Sequence, residues 1–499
     1  MATKYFVLFL LVLNFGIVQA DEIKNFSLQT TKLSQNDLID IVISESETVK
    51  NSKIEALIAE QGILNARSVF EPRLEFSYLV DYNYEQNNRE QKIQRSTETE
   101  YESRDNTWSA SLNGLIPFGT QYKLYYELDD PSNSLQTDDE YGHEKRGKIG
   151  LELTQPLLKG FGPEVNNANV NIASKNKEIS EEKLVKTKMV SGFNAITGYT
   201  DIQFYQRWGV LESEILALEK ERLSMVKKLV AAGRLSITDI FDIETTIAKR
   251  QTRMNFIARK FRKASSSVRQ MLLGTGAQTL SIIEATDELK DIPESLEPLP
   301  EDLSSYYEKR PDHKQAVHEH QISKIRYAYA KNQRLPNVDL VAEYGITELN
   351  ESWEDATKGL DDSQYDFWTI GINVGIPIGG KKGKSAVRAA ELRQQMTEKN
   401  IDVVNALIKD EICSAYAELE IAHKEAVKQK QVLAKLQGLL DQDMKKLKSG
   451  KDNQYKVIAR KIEILRARID LYEKLSEFKK VQTSLSLAKG TLLDEIAAR

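Results

Sequence analysis

One structural plan is written twice along this chain, and no other feature restricts its fold as much. Gly150-Leu151-Glu152-Leu153-Thr154-Gln155-Pro156 matches Gly371-Ile372-Asn373-Val374-Gly375-Ile376-Pro377, with glycine and proline six residues apart in both. Upstream, Glu71-Pro72-Arg73-Leu74-Glu75-Phe76 corresponds to Leu335-Pro336-Asn337-Val338-Asp339-Leu340. Downstream, Gly233 follows Pro156 by 77 residues and Gly450 follows Pro377 by 73. Self-similarity in a fixed order means that one supersecondary unit was duplicated. Each copy holds short alternating segments and then a long run without proline. Few architectures splice such strands into very long helices.

The short segments have period two, the mark of a strand with one apolar face. Leu74, Phe76, Tyr78, Val80, Tyr82 and Tyr84 share a face, opposed by Glu75, Ser77, Asp81 and Asn83, with Leu79 out of pattern. Ile149, Leu151 and Leu153 oppose Gly150, Glu152 and Thr154. In the second half, Val338, Leu340, Ala342, Tyr344 and Ile346 oppose Asp339, Glu343 and Gly345. Trp368, Ile370, Ile372, Val374 and Ile376 oppose Thr369, Gly371, Asn373 and Gly375. Two further segments, Trp108 to Ile116 and Tyr122 to Leu128, flank the turn signal Pro117-Phe118-Gly119-Thr120 and read as a hairpin. That hairpin accounts for an asymmetry: Pro72 to Pro156 is 84 residues, whereas Pro336 to Pro377 is 41. Alternation with an aromatic-rich apolar face is the pattern of a membrane β-barrel strand. The polar stretches Gln86 to Arg104 and Asn350 to Gln364 are then expected as loops outside the cell. Six strands cannot enclose a channel, so closure would take several copies.

An export signal agrees with that reading. Lys4 supplies the positive end, Tyr5 to Leu13 the apolar run, and Val18-Gln19-Ala20 the small-residue cleavage pattern. The mature chain is expected to begin near Asp21. No later run reaches the length of a membrane-spanning helix. The one cysteine, Cys413, cannot form an internal disulfide and is expected as a small buried residue. A net charge of -5, with 69 basic and 74 acidic residues intermixed, argues against a nucleic-acid partner, which requires a basic face.

Between Pro163 and Pro293, and from Pro377 onward, there is no proline, and both stretches are rich in helix-favouring residues. Leu211, Ile215, Leu218, Met225 and Leu229, and later Val432, Leu436 and Leu439, keep a coiled-coil-like spacing. Gly233 and Gly450 fall near the middle of the two runs, which predicts a helical hairpin turning at each. An arm of roughly 70 residues would reach on the order of 100 Å. Hairpins of that length cannot make a compact core and need neighbours. The domain reading is a signal peptide at 1–20, a first repeat at 21–291, a proline-rich linker at 292–300 and a second repeat at 301–499. Each repeat opens with a helix. The first has strands at about 73–85, 108–128 and 148–155 and a hairpin at 164–275; the second has strands at about 337–346 and 367–376 and a hairpin at 384–495.

In the order of these parts the sequence resembles the TolC-like outer-membrane efflux protein family, from roughly Leu28 to Glu495. The resemblance is carried by the proline-led strands at Pro72 and Pro336 and by Gln155-Pro156-Leu157-Leu158-Lys159-Gly160-Phe161-Gly162. The tip Ala232-Gly233-Arg234-Leu235-Ser236-Ile237-Thr238-Asp239-Ile240-Phe241-Asp242 and the helix start Arg310-Pro311-Asp312 add to it. It implies an α+β membrane protein with an internal structural duplication. The implied assembly is a homotrimer whose strands share one β-barrel in outer-membrane lipid, continued into a long periplasmic α-helical coiled-coil tunnel. Family members typically give four strands per chain. The hairpin after Trp108 departs from this, leaving either an 18-strand barrel or a hairpin folded outside or inside a 12-strand one.

The implied function is a passive exit duct of a tripartite export system, for efflux or type I secretion. It would meet a periplasmic adaptor protein and, through it, an inner-membrane transporter. By position, the adaptor-docking tip is Gly233, Arg234, Leu235, Ser236, Asp239 and Asp242, with Gly450 at the second tip. Asp452 and Lys456 fall in the gate region. Some family members carry acidic residues six and nine after the second glycine. Lys456 and Ala459 stand there in this chain, so an acidic ring at the pore entrance is not expected.

Catalytic chemistry finds little support in the sequence, and no enzyme activity, cofactor or metal is expected. His318 and His320 are two apart and point to different helix faces, which makes a metal site with His313 improbable. Gly379-Gly380-Lys381-Lys382-Gly383-Lys384 lacks the Lys-Ser/Thr ending of a phosphate loop and reads as a turn into the next helix. A periplasmic adaptor and an exported coiled-coil structural protein are the alternatives. Two hairpins with six alternating strands argue against the first, and the interleaved strands against the second.

Overall fold

The computed structural model describes residues 30–95, 98–134, 144–275, 281–362, 364–451 and 453–498; the expected export signal lies outside them. In chain order the elements are β1 (Thr30–Leu33), α1 (Gln35–Glu45), α2 (Glu47–Arg67), β2 (Arg73–Gln86), α3 (Arg89–Gln94), β3 (Glu100–Leu115) and β4 (Gln121–Asn133). There follow β5 (Lys145–Pro156), α4 (Pro163–Asn166), α5 (Ala168–Ala231), α6 (Ile237–Met271) and β6 (Ile282–Ala285). The second half holds α7 (Ser304–Tyr307), α8 (Pro311–Gln333), β7 (Asn337–Asn350), α9 (Trp353–Lys358), β8 (Asp366–Gly375), α10 (Lys381–Lys448), α11 (Gln454–Lys489) and α12 (Leu492–Ala497). No described helix is long and apolar enough to cross a membrane.

The chain divides into two compact units that cut across the sequence repeats, because each unit draws segments from both halves. The larger takes Val42–Asn194, Ile292–Glu425 and Glu477–Arg499. It contains a six-stranded sheet in the order β2-β3-β4-β5-β7-β8, antiparallel throughout. The β3–β4 hairpin takes the second and third places in this ladder, between β2 and β5. The stretch 86–104, expected as a loop, is only partly one: Glu100 to Arg104 continue β3 and pair with Gln86 to Tyr82. Polar cross-strand contacts sustain that end of the ladder, where alternation of apolar residues gives no signal. Tyr84 Oη donates to Glu100 at 2.5 Å, and Arg95 pairs with Glu85 at 3.0 Å while lying 3.6 Å from the Tyr101 ring. The stretch 350–364, also expected as a loop, contains α9.

The helical core of the same unit uses Ile408, Ile412, Ala415, Leu419 and Ala422 of α10, one face at spacings of three and four. They pack with Leu303 and with Phe478, Leu485 and Ala488 of α11. Cys413 follows Ile412 but is exposed, which corrects the expectation of a buried thiol: a step of about 100° around the helix turns it off the core stripe. The Arg310-Pro311-Asp312 motif also has its physical reason here. Pro311 occupies the first turn of α8. The Arg310 guanidinium bonds Asp312 at 2.6 and 2.9 Å, pairs with Glu411 at 2.8 Å and donates to the Ala488 carbonyl at 3.0 Å. One buried cation thereby ties α8, α10 and the end of α11 together.

The second unit takes the N-terminal residues through Ile41, Ala195–Asp291 and Ala426–Ser476. Its core joins Leu211 and Ile215 of α5 to Ile458, Ile462, Leu465 and Ile469 of α11, with Leu218 and Met225 packed alongside. Between α5 and α6, Arg250 and Glu212 form an ion pair at 2.8 Å with side chains 8% and 0% exposed. β1 and β6 pair in parallel, and Tyr199 bonds the Leu33 carbonyl at 2.9 Å. The second-copy stripe behaves differently: Val432 and Leu439 of α10 are exposed rather than packed. Their spacing is helical, but the face they form is open rather than part of the described core.

Candidate functional site

Two features of the fold bear on function, the two-faced sheet and the tips of the two long hairpins. On one face of the sheet the pairing register lines up Leu74, Leu112, Leu124, Leu151, Tyr344 and Trp368 across all six strands. This face is apolar and open: Phe76 is 75% and Trp368 69% exposed, with Ile370, Ile372 and Val374 alike. Tyr78 stacks on Trp108 at 5.0 Å, and Trp353 of α9 meets Trp108 edge-on at 5.1 Å. The opposite face carries polar groups that satisfy one another. Ser77 and Ser109 hydroxyls lie 2.7 Å apart, Thr107 donates to Asp129 at 2.9 Å, and Tyr125 donates to Glu343 at 2.5 Å. Lys148 lies 3.7 Å from Glu343 and 4.6 Å from the Phe367 ring centroid. An exposed apolar face costs free energy in water and none in lipid, whereas the polar face is suited to water.

The two tips share one turn geometry. Gly233 has φ +73 and Gly450 φ +69, in the left-handed region where a side chain is strained. In each the glycine N–H bonds the carbonyl three residues back, Val230 at 2.9 Å and Leu447 at 3.0 Å. The next N–H reaches five back, Arg234 to Leu229 at 2.8 Å and Lys451 to Lys446 at 3.0 Å. Both close the helix C-terminus in the Schellman manner. Three residues after each glycine stands the cap of the returning helix, Ser236 for α6 and Asn453 for α11.

Here the tips diverge. Asp239 returns a bond to the Ser236 N–H at 3.0 Å, completing a capping box. The equivalent residue on α11 is Lys456, which cannot accept; the Asn453 side chain simply takes the Lys456 N–H at 3.1 Å. The basic start of α11 leans instead on Asp443 of α10, whose carboxylate lies 3.1 Å from Arg460 and 3.8 Å from Lys456.

The structure places Gly233, Arg234, Leu235 and Ser236 in one turn, with Asp239 and Asp242 following in the start of α6, and Gly450 in the other, with Lys456 in the first turn of α11; Asp452 lies outside the described residues. Ile237 and Phe241, which the sequence places within the tip without a role, are 61% and 59% exposed beside Leu235. Sequence reading missed the Arg222 guanidinium bonded to the Tyr455 hydroxyl, a link from α5 to α11. A contact across 233 residues of sequence leaves no local signal. The histidines have separate neighbours: His313 bonds Asn405 at 2.7 Å, His320 bonds Thr397 at 3.1 Å, and His318 lies 3.0 Å from Glu178.

Comparison with known proteins agrees with these features. The family model described as outer membrane efflux protein matches residues 303–491. The chain is 22% identical over 349 residues to the outer membrane efflux protein BepC of Brucella suis biovar 1 (strain 1330), covering 69% of this chain and 72% of that one. Its fold is similar to the outer-membrane channel OprN, with a TM-score of 0.64 at 13% identity over 92% of this chain and 90% of that one. It is likewise similar to the outer membrane protein VceC of Vibrio cholerae, with a TM-score of 0.60 at 14% identity over 91% and 96%. The sheet with its open apolar face, the paired long hairpins, the family match and the shared fold meet in one conclusion: residues 303–491 carry the pattern of the outer membrane efflux protein family, and the chain has the fold of the outer-membrane channels it is similar to.

Proposed function

We propose that the protein is the passive, non-enzymatic exit duct of a tripartite export system, assembled from three copies whose strands close one barrel in the outer membrane and whose helices line a periplasmic tunnel. The observation that carries this reading is the six-stranded sheet, apolar and open on one face and hydrogen-bonded polar on the other. Such a sheet suits a wall between lipid and water. Self-association has a further basis in α10, where Leu392, Met396, Val403, Leu407 and Ile421 are all exposed at spacings near three and four or their multiples. The occupant assigned to that stripe is a second copy of this chain.

The first tip is the proposed contact for a periplasmic adaptor that connects to an inner-membrane transporter. Leu235, Ile237 and Phe241 offer apolar surface there, while the capping box holds the turn in shape. Opening of the entrance would involve the second hairpin, whose Gly450 turn and Lys456 belong to the gate region. The Arg222–Tyr455 bond between α5 and α11 would have to break if the hairpins separate. Gly233→Val tests the tip assignment, since a β-branched residue cannot adopt that φ without strain. Export should be lost while the heat-modifiable oligomer persists on gels. Normal export by this variant would overturn the assignment.

A further inference from the structure

We infer that the β3–β4 hairpin is part of the channel wall, so that three copies close an eighteen-stranded barrel, six strands from each. This rests on the three-copy assembly proposed above. The hairpin is paired on both sides without interruption, Arg73–Gln86 of β2 against β3 and Gln121–Asp129 of β4 against β5. A wall that excluded it would require β2 to pair with β5 directly, and both ladders would be lost.

The two-face pattern continues through the insertion. Leu112 and Leu124 continue the apolar face from Leu74 to Leu151. On the other face Ser109 bonds Ser77 of β2 at 2.7 Å, and Tyr125 donates to Glu343 of β7 at 2.5 Å. Those polar bonds reach from the hairpin into the strands on both sides of it. A hairpin lying outside the wall would put this polar face against lipid. A hairpin folded into the lumen would put the apolar face into water. Both arrangements cost free energy that the in-wall position avoids.

The sheet edges specify what completes the wall. β2 and β8 are each paired on one side only among the described residues. Unpaired strand edges are not tolerated in a hydrocarbon layer, and closure removes them. An even number of alternating strands leaves β2 and β8 antiparallel to each other, so β8 of one copy can join β2 of the next in the same ladder type throughout. At equal strand tilt, diameter grows roughly linearly with strand number, so the lumen would be about 1.5-fold wider than a twelve-stranded one. Walls of about 16–18 strands enclose an aqueous channel.

The test uses the full-length protein in a Cys413→Ser background, with single cysteines at Ser109 and Leu124. Native mass in detergent should give three copies. In planar bilayers, a bulky membrane-impermeant thiol reagent should modify Ser109→Cys and step the conductance down. It should leave Leu124→Cys unmodified until the lipid is removed. Three copies in which Ser109→Cys is unreactive, or is modified without change of current, would place the hairpin outside the wall. Reaction of both cysteines in lipid would place it in the lumen. Either result overturns eighteen strands and leaves the shared barrel standing. A native mass of one or two copies would overturn the assembly itself.

Discussion

The two hairpin tips solve one geometric problem with the same backbone and different charges. Each turns on a left-handed glycine, closes the outgoing helix with the same pair of backbone bonds, and caps the returning helix three residues later. At the next step of the geometry, six residues after the glycine, the first tip has Asp239 and the second Lys456. An acid there accepts the cap N–H and suits the positive end of a helix dipole. A lysine does neither, and in the second hairpin it lies instead beside Asp443 on the opposite arm, which also pairs with Arg460. The lesson concerns the acidic residues that the resemblance places at the second tip in some family members and that this chain lacks. An acid six after the glycine has a local structural role as well as any role in a pore, and at the second tip the residue in its place pairs with Asp443 of α10 instead.

The largest expected effect separates the arms of the first hairpin. Arg250→Ala would leave Glu212 buried without its partner, and the loss should be about 3–5 kcal/mol. Thermal unfolding of the variant against the parent measures it; a loss below about 1 kcal/mol would mean that water reaches the pair. The α10–α11 contact around Ile412 and Phe478 is apolar instead.

A smaller loss is expected on acidification, at the far end of the second hairpin. Burial raises the Asp312 carboxyl, but the Arg310 guanidinium outweighs it and holds the group below its ordinary value of 3.8. A depressed carboxylate contributes stability above its unfolded value, and that contribution is lost as pH falls below about 3.8. Asp312→Asn should flatten the acid limb of stability measured between neutral pH and the acid range. An unchanged acid limb would remove Asp312 from the account.

The smallest effect is also the most direct on the comparison of tips. Asp239→Lys should destabilise the first tip, and Lys456→Asp should stabilise the second, each by about 0.3–1 kcal/mol. Hydrogen exchange of the first turns of α6 and α11 reads both. If Lys456→Asp loosens α11 instead, its pairing with Asp443 matters more than the helix end.

The sequence by itself determined what is periodic and local. Alternation located the core of every large strand, since adjacent side chains of a strand must take opposite faces. Proline-free runs and two glycines located the hairpins, because only a left-handed residue closes a helix so tightly. Glu100 to Arg104 escaped this reading because their pairing rests on Tyr84, Glu85 and Arg95 rather than on an apolar stripe. Only the tertiary structure decided that the β3–β4 hairpin enters the sheet between β2 and β5, that Cys413 faces away from Ile412, and that Arg222 reaches Tyr455. Those outcomes depend on which distant segments meet, and no local period encodes a meeting between residues far apart in the chain.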